Sequence, residues 1–213
     1  DDEVGMAWAL NWLGAHTLAF PDECREGILM CEEALRLFRK LDDQAGILNA
    51  VNNLGELSRR DGDYERAARA YQEAIDIARE EGAELRQALA LGNLGYVAHH
   101  QGKYERAEAN ILKGLILLME LENTRYIPLY LAALAGPLAS LGNPEKAAQL
   151  LGVSEVLQET LGVVVQAGDQ FEVERYEAVV REQLGEAAFE AAWVQGRAMS
   201  LEEAVAYALG SEK

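Results

Sequence analysis

The sequence predicts an all-α, right-handed superhelix of four helix pairs closed by a C-terminal helical cap. Three observations carry that expectation. One phrase recurs every forty residues: Gly62-Asp63-Tyr64-Glu65-Arg66-Ala67 returns as Gly102-Lys103-Tyr104-Glu105-Arg106-Ala107 and, more loosely, as Gly142-Asn143-Pro144-Glu145-Lys146-Ala147. Leu54-Gly55, Leu94-Gly95 and Leu134-Ala135 keep the same step upstream. Between these marks apolar residues fall at helical spacing, and the 213 residues hold only four prolines. A fixed period of this length marks supersecondary units that bury their apolar faces by stacking on one another.

The elements follow in chain order. Residues 43–60 form a helix whose stripe is Ile47, Leu48, Val51, Leu54, Gly55 and Leu57. Asp61-Gly62-Asp63 ends it, with Gly62 suited to positive φ and Asp63 suited to cap the next helix. That helix runs to about Glu81, with Ala67, Tyr71, Ala74, Ile75 and Ala78 inward, and Gly82 breaks it. The cycle repeats as helices over 84–101 and 104–122, then 124–141 and a last one to about Thr160, capped by Asn143 with Pro144 in its first turn. The first forty residues fit more loosely: Asn11-Trp12-Leu13-Gly14 aligns with Asn52-Asn53-Leu54-Gly55, and Cys31-Glu32-Glu33-Ala34 with Tyr71-Gln72-Glu73-Ala74. The domain expectation is therefore repeats over 1–161 (about 7–40, 43–81, 84–122 and 124–161) and a capping segment over 162–213. In that segment Gly162 to Gly168 reads as a valine-rich turn, and helices near 169–184, 186–195 and 201–209 are separated by Gly185 and Gly196. Ser200-Leu201-Glu202-Glu203 is a capping box, and Trp193, Phe189 and Tyr207 are expected core, with Arg197 and Glu203 a surface or capping pair.

Composition narrows the function. A net charge of −17 repels phosphate backbones and anionic lipid surfaces alike. The most apolar run, Ile111 to Met119, contains Lys113 and falls short of the roughly 18–20 residues a bilayer requires. No secretory signal opens the chain, which begins Asp1-Asp2-Glu3 and reads as part of a longer cytoplasmic protein. Cys24 and Cys31, seven apart on one helix, would have Cα atoms about 10 Å apart, beyond the roughly 7 Å a disulfide tolerates, so both are expected as reduced thiols. Gly-x-Gly, a phosphate loop, His-Glu-x-x-His and a nucleophile elbow are all missing from the sequence, so neither an enzyme nor a cofactor site is expected.

The repeat resembles the tetratricopeptide repeat. The family places a small residue after a Leu, a Gly at the turn, then an aromatic and two alanines. Those places hold Leu54, Gly55, Gly62, Tyr64, Ala67, Tyr71 and Ala74, and next Leu94, Gly95, Gly102, Tyr104, Ala107, Ile111 and Gly114. The forty-residue step is similar to the longer-helix repeats of kinesin light chains. A second resemblance lies in Leu184-Gly185, Phe189, Ala192-Trp193, Gly196-Arg197, Met199-Ser200-Leu201 and the run Ala204 to Leu209. It looks like the tail of large bacterial signal-transduction ATPase regulators of the LuxR type, in which helical repeats form the sensor region.

The first resemblance implies a concave groove lined by the first helix of each pair. Carried over by position, its partner-binding residues are Trp8 and Asn11 in the first repeat, Asn52, Asn53, Glu56, Arg59 and Arg60 in the second, and Asn93, Tyr96, His99 and His100 in the third. Ala15 and Leu89 join them, and Leu129, Ala132, Ala133, Gly136 and Ser140 would give a bare apolar surface in the fourth. Asn53 and Asn93 hold the place of an asparagine ladder, whose amides either pair with a peptide backbone or bond a neighbouring helix. Arg59, Arg60, His99 and His100 either form a cationic spot for a carboxylate or phosphate or simply offset helix dipoles. The two histidines have no third ligand in reach and make no metal site. The expected partner is a peptide, protein segment or small effector. A homo-oligomerisation scaffold, with a homodimer formed through the all-round apolar stretch 111–118, is the alternative.

Overall fold

The computed structural model describes residues 2–163 and 167–210. No strand occurs among them, and the chain forms two compact units that meet in sequence at Gln101 and Gly102.

The first unit begins with α1 (Glu3–His16), initiated by the Asp2 carboxylate accepting from the Gly5 N–H at 2.8 Å. Two 3-10 turns, Thr17–Ala19 and Pro21–Glu23, lead into α2 (Cys24–Lys40), followed by α3 (Gln44–Arg60), α4 (Tyr64–Glu80) and α5 (Glu84–His100). The helices α2 to α5 are each 17 residues long and are joined by three-residue turns, which produces the forty-residue step. All three turns are built alike. The middle residue takes positive φ (Asp42 55°, Gly62 82°, Gly82 65°), and the third N–H returns to the carbonyl five residues back, as Asp63 does to Ser58 at 2.9 Å. Asp43 and Asp63 then accept from the N–H groups of Gly46 and Arg66, each at 2.9 Å, and so cap the following helix, as expected for Asp63.

Close approach is set by glycines. A Cβ on Gly55 of α3 would lie 2.6 Å from the ring of Tyr71 of α4, and one on Gly14 of α1 would lie 2.5 Å from Sγ of Cys31 of α2. Cys24 and Cys31 are both buried and free in α2, as expected. Trp8 packs edge-on against Phe38 at 4.9 Å, whereas Trp12, on the same helix, is 67% exposed.

The second unit opens with α6 (Tyr104–Glu120), whose Ile111, Leu115 and Leu118 are fully buried while Ile116 is exposed. The single helix expected over 124–141 is two: α7 (Ile127–Ala133) and α8 (Ala135–Ser140). Pro137 is the reason. It has no N–H to return to the Ala133 carbonyl, so the ladder is interrupted at Leu134. Then come α9 (Pro144–Leu161), α10 (Ala167–Leu184), α11 (Glu186–Arg197) and α12 (Leu201–Ala208). Asn143 occupies the N-cap of α9, but its side chain makes no capping bond; its N–H closes the preceding turn onto the Leu138 carbonyl. The helix α9 ends on Gly162 at φ 62°, and Val164, Val165 and Gln166 of the valine-rich turn lie outside the described residues.

The fourth-repeat surface expected to be bare is covered. Helix α10 lies over α7 and α8, Ala132, Ala133 and Gly136 are buried, and a Cβ on Gly136 would meet the Tyr176 ring at 2.5 Å. The helices α9 and α11 cross where Gly152 faces the Trp193 carbonyl and Gly196 faces the Gln149 carbonyl. Phe189 is core, while Trp193 and Tyr207 are only half-buried. Arg197 and Glu203 do not pair. Arg197 lies over the Trp193 ring and reaches Glu155 and Glu159, while Glu203 completes the capping box with Ser200.

Candidate functional site

The first helices of the pairs in the first unit, α1, α3 and α5, lie side by side, α1 on α3 and α3 on α5. Leu13-Gly14, Leu54-Gly55 and Leu94-Gly95 fix their common register, so Trp12, Asn53 and Asn93 hold equivalent places. Asn53 Nδ2 donates to Oδ1 of Asn11 at 3.0 Å, which ties α3 to α1 and leaves Asn11 itself buried. The neighbouring-helix role weighed for this asparagine is therefore present at Asn53. Asn52 and Asn93 are half-buried and make no side-chain hydrogen bond among the described residues.

Beside this column stands a closed charge network. Glu56 Oε1 accepts from Arg59 at 2.7 Å and from Arg60 at 3.2 Å, and Oε2 accepts from the Tyr71 hydroxyl at 3.0 Å. The Arg60 guanidinium also donates to the Leu18 carbonyl at 2.5 Å. The guanidinium of Arg59 sits 5.5 Å over the ring of Tyr96, and both residues are buried. Burial pushes the Glu56 carboxyl up, but the Arg59 charge and hydrogen bond, with Arg60 and the Tyr71 hydroxyl, outweigh it and hold the group below the ordinary carboxylate range. Burial raises Tyr71 well above the ordinary phenol value, and the Glu56 charge adds to it. Arg59 and Arg60 thus share one carboxylate, which removes much of their attraction for an external anion.

The remaining predicted residues lie apart from the column. Trp8 turns towards α2. His100 stacks on Tyr64, the first residue of α4, at 4.5 Å and 11°, with His99 edge-on to it at 6.2 Å, so both mark the end of the α4–α5 hairpin. Trp12 is the residue the positional carry-over missed, although its alignment with Asn53 carried the signal. No group of three His, Cys, Asp or Glu among the described residues could hold a metal ion. Burial pushes the Cys31 thiol up to about 12 and also raises Cys24, so neither is a ready nucleophile at neutral pH. No helix of the described residues is long and apolar enough to cross a membrane.

Comparison with known proteins bears on this geometry in two ways, a partial family match and a shared fold. The tetratricopeptide repeat family model matches residues 5–80. No match to a curated protein was found. Among solved structures the chain is similar to the apo form of RapI, with a TM-score of 0.61 and 14% identity over 99% of this chain and 64% of that one. It is similar to BtubC (BKLC) from P. vanneervenii, with 0.63 and 17% identity over 99% and 91%. The nearly identical TPR-like repeats of a kinesin light chain candidate from Podosopora anserina give 0.63 and 13% identity over 89% and 92%. The chain spans 64% of RapI. At these identities the likeness shows a shared fold, and residues 5–80 are what the tetratricopeptide repeat model matches.

Proposed function

We propose that this chain is a non-catalytic interaction module that receives an extended peptide or protein segment across α1, α3 and α5. The observation that carries the reading is the column Trp12, Asn53 and Asn93, in which an exposed indole and two amides hold equivalent places on three helices packed side by side, one amide making no side-chain hydrogen bond among the described residues. An amide supplies both donor and acceptor, so it can match a peptide backbone, and an indole supplies apolar area for one side chain. The charge of −17 favours neutral to basic segments. The module is placed in the cytoplasm as the sensing region of a larger bacterial regulator; support comes from the C-terminal phrase Leu184 to Leu209. Repeats over 1–161 with a cap over 162–213 remain the proposed division. A coding sequence with no phosphate-loop ATPase joined to this region would remove the regulator part and leave the binding part standing.

Fluorescence anisotropy against a library of labelled neutral and basic peptides tests the column. Trp12→Ala is expected to weaken the best binder by about tenfold or more and Asn93→Ala by roughly fivefold. Binding that survives Trp12→Ala, Asn53→Ala and Asn93→Ala together unchanged would place the ligand elsewhere and sink the reading.

A further inference from the structure

Four arginines meet over one groove of the first unit. Helices α2 and α4 both pack on α3, and between them lies an open groove of about 400 Å³. Leu35 of α2 with Val51 and Leu54 of α3 give it an apolar floor. Arg36 and Arg39 line it from α2, Arg66 and Arg69 from α4, and the acidic lining is Glu32 and Glu73. The whole chain holds 19 Lys and Arg against 36 Asp and Glu. A groove richer in arginine than in carboxylate therefore runs against the charge of the molecule around it.

Two of the four arginines tie the helices together. Arg66 pairs with Glu32 and Arg39 with Glu73, so each ion pair crosses between α2 and α4. Each tie uses one terminal guanidinium nitrogen, which leaves further N–H donors of the same planar fork for another acceptor. The other two arginines take no part in the crossing. Arg36 meets Glu33 of its own helix with its side chain 63% exposed, and so exposed a pair yields readily to a better acceptor. Arg69 is exposed and makes no ion pair among the described residues. Forty residues on, the places of Arg36 and Arg69 hold Asp76 and Ala109, so the repeat itself does not require them.

We propose that this groove binds a small organic anion, a phosphate or carboxylate carried on a compact apolar body. Guanidinium forks match the paired oxygens of either group, and the floor receives the apolar part. The volume lies at the small-molecule end of ligand sites, which span roughly 300–1,000 Å³. A long polyanion is a poorer occupant, because beyond the groove it would meet a net charge of −17. The site shares no residue with the column Trp12, Asn53 and Asn93 and stands whether or not that column receives a peptide.

Isothermal titration of the full 213-residue chain with 1-naphthyl phosphate, at neutral pH and low salt, tests the site. Saturable binding is expected, with a Kd on the order of 0.1–1 mM. 1-Naphthol, which lacks the anion, and inorganic phosphate, which lacks the ring, should each bind about fivefold more weakly or worse. 1-Naphthoate should bind roughly threefold more weakly, having one negative charge where the ester has nearly two; tighter binding of the naphthoate would support the site and make carboxylate its preferred group. Arg36→Gln with Arg69→Gln should weaken 1-naphthyl phosphate about tenfold. Arg36→Lys with Arg69→Lys, which keeps the charge and loses the fork, should weaken it about threefold. Arg25→Gln with Arg86→Gln removes the same charge from exposed places outside the groove and should leave binding unchanged, as should Asn93→Ala. No saturation up to about 5 mM, naphthol bound as tightly as its phosphate, or equal losses from the Arg36 and Arg69 pair and the Arg25 and Arg86 pair would overturn the proposal. Arg36 and Arg69 are exposed and lie outside the crossing ion pairs, so their substitution leaves the fold intact.

Discussion

In the first unit the ring of Tyr71 lies on Gly55, and in the second the ring of Tyr176 lies on Gly136, with a Cβ on either glycine meeting ring carbon at 2.6 or 2.5 Å. The packing device is the same, yet the surfaces beside it differ because the next residue differs. Glu56 follows Gly55 and collects Tyr71, Arg59 and Arg60 into a polar wall beside the amide column. Pro137 follows Gly136, interrupts the helix, and leaves small apolar residues that α10 covers. A stack therefore needs only a small residue under an aromatic one to close. What its inner face offers a partner is written in the position alongside.

The widest test of that equivalence is steric. Gly55→Val and Gly136→Val each force branched carbon into a fully buried tyrosine ring, and each is expected to cost about 3 kcal/mol or more in urea unfolding. Similar losses in the two variants would support one device used twice. A cost under about 1 kcal/mol at either site would mean that its tyrosine can move aside, and the parallel would fail.

A smaller effect separates the units by charge. Glu56→Gln keeps the shape of the side chain but removes the negative charge that Arg60 and Arg59, whose side chain is only 5% exposed, share, at a cost of about 2 kcal/mol. The pH dependence has a definite sign. Because Glu56 sits below the ordinary carboxylate range in the fold, its contribution is present above the unfolded carboxyl value and is lost as pH falls through the lower native one. Tyr71 is raised, so its contribution is present below the ordinary phenol value and is lost as pH rises beyond it. Denaturation midpoints of Glu56→Gln should accordingly change less on acidification than those of the parent chain. Equal acid sensitivity in both would remove Glu56 as the titrating group.

How much of this could be read beforehand follows from which forces are local. The forty-residue step was legible because each turn is a local event: Gly62 supplies positive φ, and Asp63 supplies the cap. Asp42 and Glu122 take the same left-handed place without being glycine, at φ 55° and 52°, and no pattern announced them. The pairing of Gly55 with Tyr71 was legible for the same reason, since both lie on one repeat. Rotation of each helix about its own axis was not, because it depends on neighbours. Asn11 and Arg59 therefore turned out buried, Trp12 rather than Trp8 took the exposed place, and the arginines found Glu56. The break at Leu134 required giving Pro137 more weight than the apolar periodicity around it.

The smallest effect sharpens the comparison at the helix starts. Asp63 and Asn143 hold the same place forty-residue steps apart, each following a glycine of positive φ, at 82° and 83°. Asp63 accepts from the Arg66 N–H at 2.9 Å and places a negative charge at the positive end of α4. Asn143 makes no such bond to α9, whose first turn begins with Pro144. Asp63→Ala should thus cost about 1 kcal/mol, and Asn143→Ala no more than a few tenths. If the two losses proved equal, the bond from Asp63 would contribute nothing, and proline with its preset φ would be as good a start for the second helix of a pair as a capped aspartate.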